Sequence, residues 1–119
     1  MPSQRDILTW QSLDPTERVC RSQYWRAKRL TGRTDYITTS AWRLILDAFD
    51  GRCAACLSSG PIEMSHLTAL SRGGWHLPSN VVPLCPACNR AMGTHDARDW
   101  LSPSVYHRLV ELHPYMLAL

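Results

Sequence analysis

The chain has 119 residues and little of several things. It contains one phenylalanine, against five tryptophans. No stretch is long and apolar enough to span a bilayer, which excludes a membrane-spanning helix and leaves no membrane partner to expect. The opening Met1-Pro2-Ser3-Gln4-Arg5-Asp6 lacks a hydrophobic signal segment, so an intracellular, cytoplasmic protein is expected. Internal repeats and low-complexity tracts are absent, and residues 1–13 carry no strong pattern. At this length one globular domain is the default. Its core is necessarily modest, so a structural metal would help it fold.

Acid is also missing where base is dense. No acidic residue lies between Arg18 and Arg33, while Arg18, Arg21, Arg26, Lys28, Arg29 and Arg33 do, although the formal net charge is only +3. Nucleic acid is the commonest partner of such a stripe, and a solvated helix face is the plain alternative. Asp14-Pro15-Thr16-Glu17 reads as a helix start, with Asp14 as N-cap, Pro15 at the first position and Glu17 in the capping box. The helix should run to about Leu30 and stop at Gly32. Val19, Cys20, Ala27 and Leu30 then share one side; Arg18, Arg21, Lys28 and Arg29 share the other, with Trp25 among them. Trp25 reads as a packing residue before a stacking one. The lone Cys20 reads as a buried small hydrophobe. A second helix, about 40–50, follows the caps Thr38-Thr39-Ser40 and turns Trp42, Ile45, Leu46 and Phe49 inward. Residues 1–38 are read as a basic helical arm and 39–119 as the main domain.

The other four cysteines form two pairs, Cys53-Ala54-Ala55-Cys56 and Cys85-Pro86-Ala87-Cys88, in the pattern C-x2-C-x28-C-x2-C. In a reducing compartment such pairs read as metal ligands before disulfides. Two tight turns can offer four thiolates to one tetrahedral Zn²⁺, closing the site to water and making it a staple. Between the pairs, residues 62–67 read as a strand, 71–74 as a turn, and Val81-Val82-Pro83-Leu84 as a second strand kept to an edge by Pro83. A short helix should start near the second pair and include Asn89. Further helices are expected at about 95–101 and 103–112, with Pro114 beyond the end of the last. The order gives a small α+β fold.

The run Ile62-Glu63-Met64-Ser65-His66-Leu67 through Ser71-Arg72-Gly73-Gly74, then Leu77-Pro78-Ser79-Asn80-Val81 through Cys85-Pro86-Ala87-Cys88-Asn89, closely resembles the HNH endonuclease family. The likeness spans about residues 40–101. The continuation Arg90-Ala91-Met92-Gly93-Thr94 is similar to the four-cysteine branch found in phages and large DNA viruses. The resemblance implies a ββα-metal fold that hydrolyses DNA phosphodiester bonds with one divalent cation, Mg²⁺ or another. It implies His66 as general base, Asn80 as the brace that orients it, and Asn89 as a cation ligand. Where many members carry Asp before the base, this chain has Ser65, which leaves the cation short of anionic ligands. Gly93 cannot coordinate, so His95 and Asp96 are the nearest substitutes, unless they cap the next helix. His76 is expected to touch a phosphate. Arg18, Arg21, Arg26, Lys28, Arg29 and Arg72 are the candidate DNA contacts.

The residues thus imply a metal-dependent endonuclease; the alternative is a non-catalytic zinc-stapled module that binds nucleic acid. A zinc-bearing protein adaptor is a third, weaker reading. The apolar tail Tyr115-Met116-Leu117-Ala118-Leu119 would dock on the core or on a second copy in a homodimer.

Overall fold

A computed structural model of the protein describes residues 13–117. The first helix, α1, spans Pro15–Thr31. Asp14 caps it by accepting from the Glu17 N–H at 3.0 Å, and Gly32 ends it at φ 73°, a left-handed conformation that glycine adopts without penalty. Helix α2, Thr39–Ala48, starts on the Thr38 side chain, which accepts from the Ala41 N–H. Both starts are as the cap residues predict.

Strand β1, Glu63–His66, pairs antiparallel with β2, Val81–Leu84, placing Ser65 opposite Val82 and His66 opposite Val81. Helix α3, Pro86–Met92, follows at once, so β1, β2 and α3 form the expected ββα unit. Short helix α4, Ala97–Trp100, and α5, Pro103–Leu117, complete the fold. Helix α5 runs through Pro114 rather than ending before it. Proline removes one N–H donor and crowds the preceding turn, which makes this a weak point and not a stop.

One core joins these elements. Trp42 and Ile45 of α2, with Phe49 just after it, pack with Val81, Val82 and Leu84 of β2, and with Val105 and Leu109 of α5. Cys20 of α1 and Ile37 are in the same cluster, both fully buried, so α1 shares the core of the main domain. Two details of α1 depart from the sequence reading. Trp25 is 58 % exposed, not packed, and Leu30 is 56 % exposed. The narrow side of α1 that faces inward is Cys20 and Ala27; one buried stripe is all the small core accommodates. Among the described residues no helix is long and apolar enough to cross a membrane. In the apolar tail Tyr115 is exposed; the side chains of residues 116–119, with residues 1–12, lie outside the described part.

Candidate active site and metal centre

The four paired cysteines converge. Their Sγ atoms lie within 4.8 Å of one another, and Cys56 Sγ is 3.8 Å from Cys85 Sγ. A tetrahedron with Zn–S bonds of about 2.3 Å has edges of about 3.8 Å, whereas a disulfide needs about 2 Å. All five cysteines are free thiols. Within each pair the fourth residue's backbone N–H points at the first sulfur, Cys56 N to Cys53 Sγ at 3.5 Å and Cys88 N to Cys85 Sγ at 3.4 Å. Burial pushes the Cys53 thiol up, but the backbone N–H groups of Cys56, Cys85 and Ala55 outweigh it and bring the pKa down to about 7. Burial and the neighbouring sulfurs push the Cys88 thiol up, so it is the spacing of the four sulfurs that fits a closed four-cysteine site. Among the described residues it is the one cluster of three or more His, Cys, Asp or Glu that can hold a metal in this way.

The second centre lies where β1 meets α3. Glu63 and Ser65, two apart, share one face of β1. Both meet Asn89: the Ser65 hydroxyl donates to Asn89 Oδ1 at 2.7 Å, and Asn89 Nδ2 donates to Glu63 Oε1 at 3.1 Å. A cleft of about 300 Å³ opens here, lined by Ser65, His66 and Asn89 and walled by Gln23, Arg26 and Leu30 of α1. Leu30 is exposed because it stands on this wall. A second cleft, about 330 Å³, adjoins the first at Gln23, Met64 and Asn89 and holds Arg18 and Glu63. The Arg18 Nε is buried there with no hydrogen-bond partner among the described residues.

His66 ends β1, and its ring is 9 % exposed. Burial, then the facing His76 and Arg26, pulls its pKa down from 6.5 to about 4, so it is neutral at neutral pH. Asn80 sits where the loop returns to β2. Its Oδ1 accepts from the Thr68 N–H at 2.9 Å, and its Nδ2 donates to the carbonyls of Thr68 at 3.0 Å and Trp75 at 2.8 Å. One side chain thus ties both ends of the loop that follows His66.

The remaining sequence candidates scatter. His76 is 3 % exposed and packed on His66, so it is not a surface phosphate contact. His95 is exposed and lines neither cleft. Asp96 caps α4, accepting from the Arg98 N–H at 2.9 Å and pairing with the Arg98 side chain. Arg21, Lys28, Arg29 and Arg72 are exposed; Lys28 lies over the Trp25 ring at 5.1 Å. Arg33 is a strap: it stacks on Trp75 at 3.7 Å and donates to the Gly74 carbonyl at 3.0 Å. Glu63 was not singled out from the sequence. Its i, i+2 relation to Ser65 on a strand is the signal that finds it.

Residues 53–95 match the family model for HNH endonuclease. No curated protein and no solved structure matches the chain.

Proposed function

We propose, from the match of residues 53–95 to the HNH endonuclease model, that the protein is a metal-dependent endonuclease that hydrolyses DNA phosphodiester bonds. The observation that carries this is the joint placement of His66, Ser65 and Asn89 in one cleft, with Asn80 holding the loop beside them. A closed binding module has no use for a neutral imidazole at the end of a strand, set into the wall of a cleft.

His66 acts on a water in the cleft. The water's proton passes to the imidazole, its oxygen bonds to phosphorus, and the bond from phosphorus to the leaving sugar oxygen breaks, with solvent returning a proton to that oxygen. General base help of this kind is typically worth about 10² to 10⁴ in rate. Ser65 Oγ and Asn89 Oδ1, with Glu63 Oε1 beside the Asn89 amide nitrogen, are the oxygens that would hold Mg²⁺ or Mn²⁺. A cation bound there would neutralise the phosphate and the charge that develops on it. Ser65 brings no charge, so we assign the anionic contribution to Glu63, the carboxylate that touches Asn89, and not to exposed His95. The four cysteines hold Zn²⁺ as a staple, and the zinc takes no part in the chemistry. Arg18 and Arg26 line the clefts and hold the backbone, while Arg21, Lys28, Arg29 and Arg72 extend the positive surface outside.

The replacement of carboxylate by Ser65 favours the second reading, a zinc-stapled module that binds nucleic acid without cutting it. Incubating purified protein with supercoiled plasmid under Mg²⁺, Mn²⁺ or EDTA decides. Nicking that needs the cation supports the enzyme; tight DNA binding with no nicking under any divalent ion supports the module.

Two further outcomes follow from the same site. Calorimetric titration with Mn²⁺ should show Glu63→Gln weakening the second, non-zinc site by roughly tenfold, and Ser65→Asp tightening it. Equal Mn²⁺ affinity in Glu63→Gln and the natural protein would remove Glu63 from the site. Changing Arg18, Arg21 and Arg29 together to Ala should weaken binding to all duplexes alike, and the salt slope should flatten by about one for each of these arginines that binds a phosphate. Collapse of binding to one sequence alone would make α1 a base reader instead.

A further inference from the structure

His76 is buried, polar, and unused by the mechanism above. The loop that carries it is clamped on both sides. Gly74 lies against the chain that leaves β1 so closely that a Cβ there would meet the Thr68 carbonyl oxygen at 1.9 Å. Asn80 holds the Trp75 carbonyl at 2.8 Å, and Arg33 holds the Gly74 carbonyl at 3.0 Å while stacking on the Trp75 ring. The residues just before His76 are therefore fixed, and its ring is delivered to one place. There His76 Nδ1 stands 3.0 Å from His66 Nε2, with the rings inclined at 46°.

Two neutral imidazoles share one proton across such a contact, and the choice of donor sets both tautomers. If His66 Nε2–H donates, His66 Nδ1 is a bare lone pair. That atom makes no hydrogen bond among the described residues, and His66 lines the cleft. His76 then carries its own proton on Nε2, which is the sealed atom. If His76 Nδ1–H donates instead, the His66 proton sits on Nδ1 and the ring cannot take a proton from water there.

We propose that His76 is a positioning residue that holds His66 in the Nε2–H tautomer and aims Nδ1 at the attacking water. The inference rests on His66 being the base. It gives His76 the part that a carboxylate or backbone carbonyl plays behind other reactive histidines, fixing tautomer and ring orientation from outside the reaction. A neutral imidazole suits a spot where a buried carboxylate would lack further hydrogen-bond partners.

The test reads the tautomer directly, by long-range ¹H–¹⁵N correlation of the histidine rings in the zinc-loaded protein. The expected spectrum shows His66 protonated on Nε2 alone. His76→Leu should mix the two His66 tautomers and lower kcat for nicking about tenfold or more, with KM little changed. His76→Gln, whose carbonyl can accept the same bond, should restore both. A His66 proton on Nδ1 in the natural protein overturns the proposal, as does full kcat in a folded His76→Leu. If the natural protein does not nick at all, the reading of His66 as base fails. A pure Nε2–H tautomer that depends on His76 would still establish the positioning contact.

Discussion

Exchanging Cys53 or Cys88 for serine will leave the chain unfolded or insoluble. The four sulfurs come from two turns separated by 28 residues of sequence and meet within 4.8 Å. Two of them, Cys53 and Cys85, are themselves core residues, at 0 % and 9 % exposure. Without an ion between them, the second centre's strands hang on a two-stranded sheet, which is marginal alone. A structural zinc contributes on the order of 10 kcal/mol, comparable to the whole stability of a small domain. Losing one thiolate loses most of that. Elemental analysis of the natural protein should give about one zinc per chain, as one four-cysteine site requires. Strong chelation should unfold the protein, with circular dichroism following the loss. Acid should act the same way, because thiolates must be protonated before the metal leaves. A Cys53→Ser, Cys88→Ser double variant that stays folded without metal would remove the staple from the account.

Removing the His66 imidazole will cut nicking by roughly 10² or more while DNA affinity stays within a few fold. The ring is a ligand of neither the cysteine cluster nor the oxygen set around Asn89, so His66→Ala should keep its zinc. Asn89→Ala should suppress nicking by another route, since it removes the amide whose oxygen meets Ser65 and whose nitrogen meets Glu63. The two variants differ in the remedy: higher Mn²⁺ should recover part of the activity of Asn89→Ala and none of that of His66→Ala. The pH dependence carries a sign. Burial, with His76 and Arg26, holds the His66 pKa near 4, so the proton-accepting form is already present throughout the neutral range. The rate should therefore hold as pH falls through 6.5, the ordinary histidine value, and decline only as it approaches about 4. Undiminished nicking by His66→Ala would end the catalytic assignment.

The elements that the sequence made legible are those whose bonds close locally. Asp14 reaches Glu17 and Thr38 reaches Ala41 across three residues, so caps and helix starts could be read directly. Each C-x-x-C turn closes on itself through an N–H to sulfur bond over three residues. The two strands, the short helix after the second pair and the HNH resemblance belong to the same class of signal. Pro114 misled because a helix stop is only a local preference, and the backbone of α5 runs on through it.

Which residues would meet was decided by tertiary structure. Helical periodicity placed Leu30 on the apolar side of α1, and Trp25, although on the basic side, read as a packing residue, but a core this small takes one stripe of that helix and leaves both exposed. Glu63 became part of the site because chain reversal brings Asn89, 26 residues on, against its carboxylate. His76 passed for a surface histidine until the Gly74 approach and the Asn80 and Arg33 clamps turned it inward onto His66. The sequence by itself determined the two cysteine turns that meet and the order of elements, since spacing encodes contacts that span a turn. The environment of His66, and with it the downward shift of the ring's pKa, was set only by folding, because desolvation and a hydrogen bond across ten residues have no periodic trace in the chain.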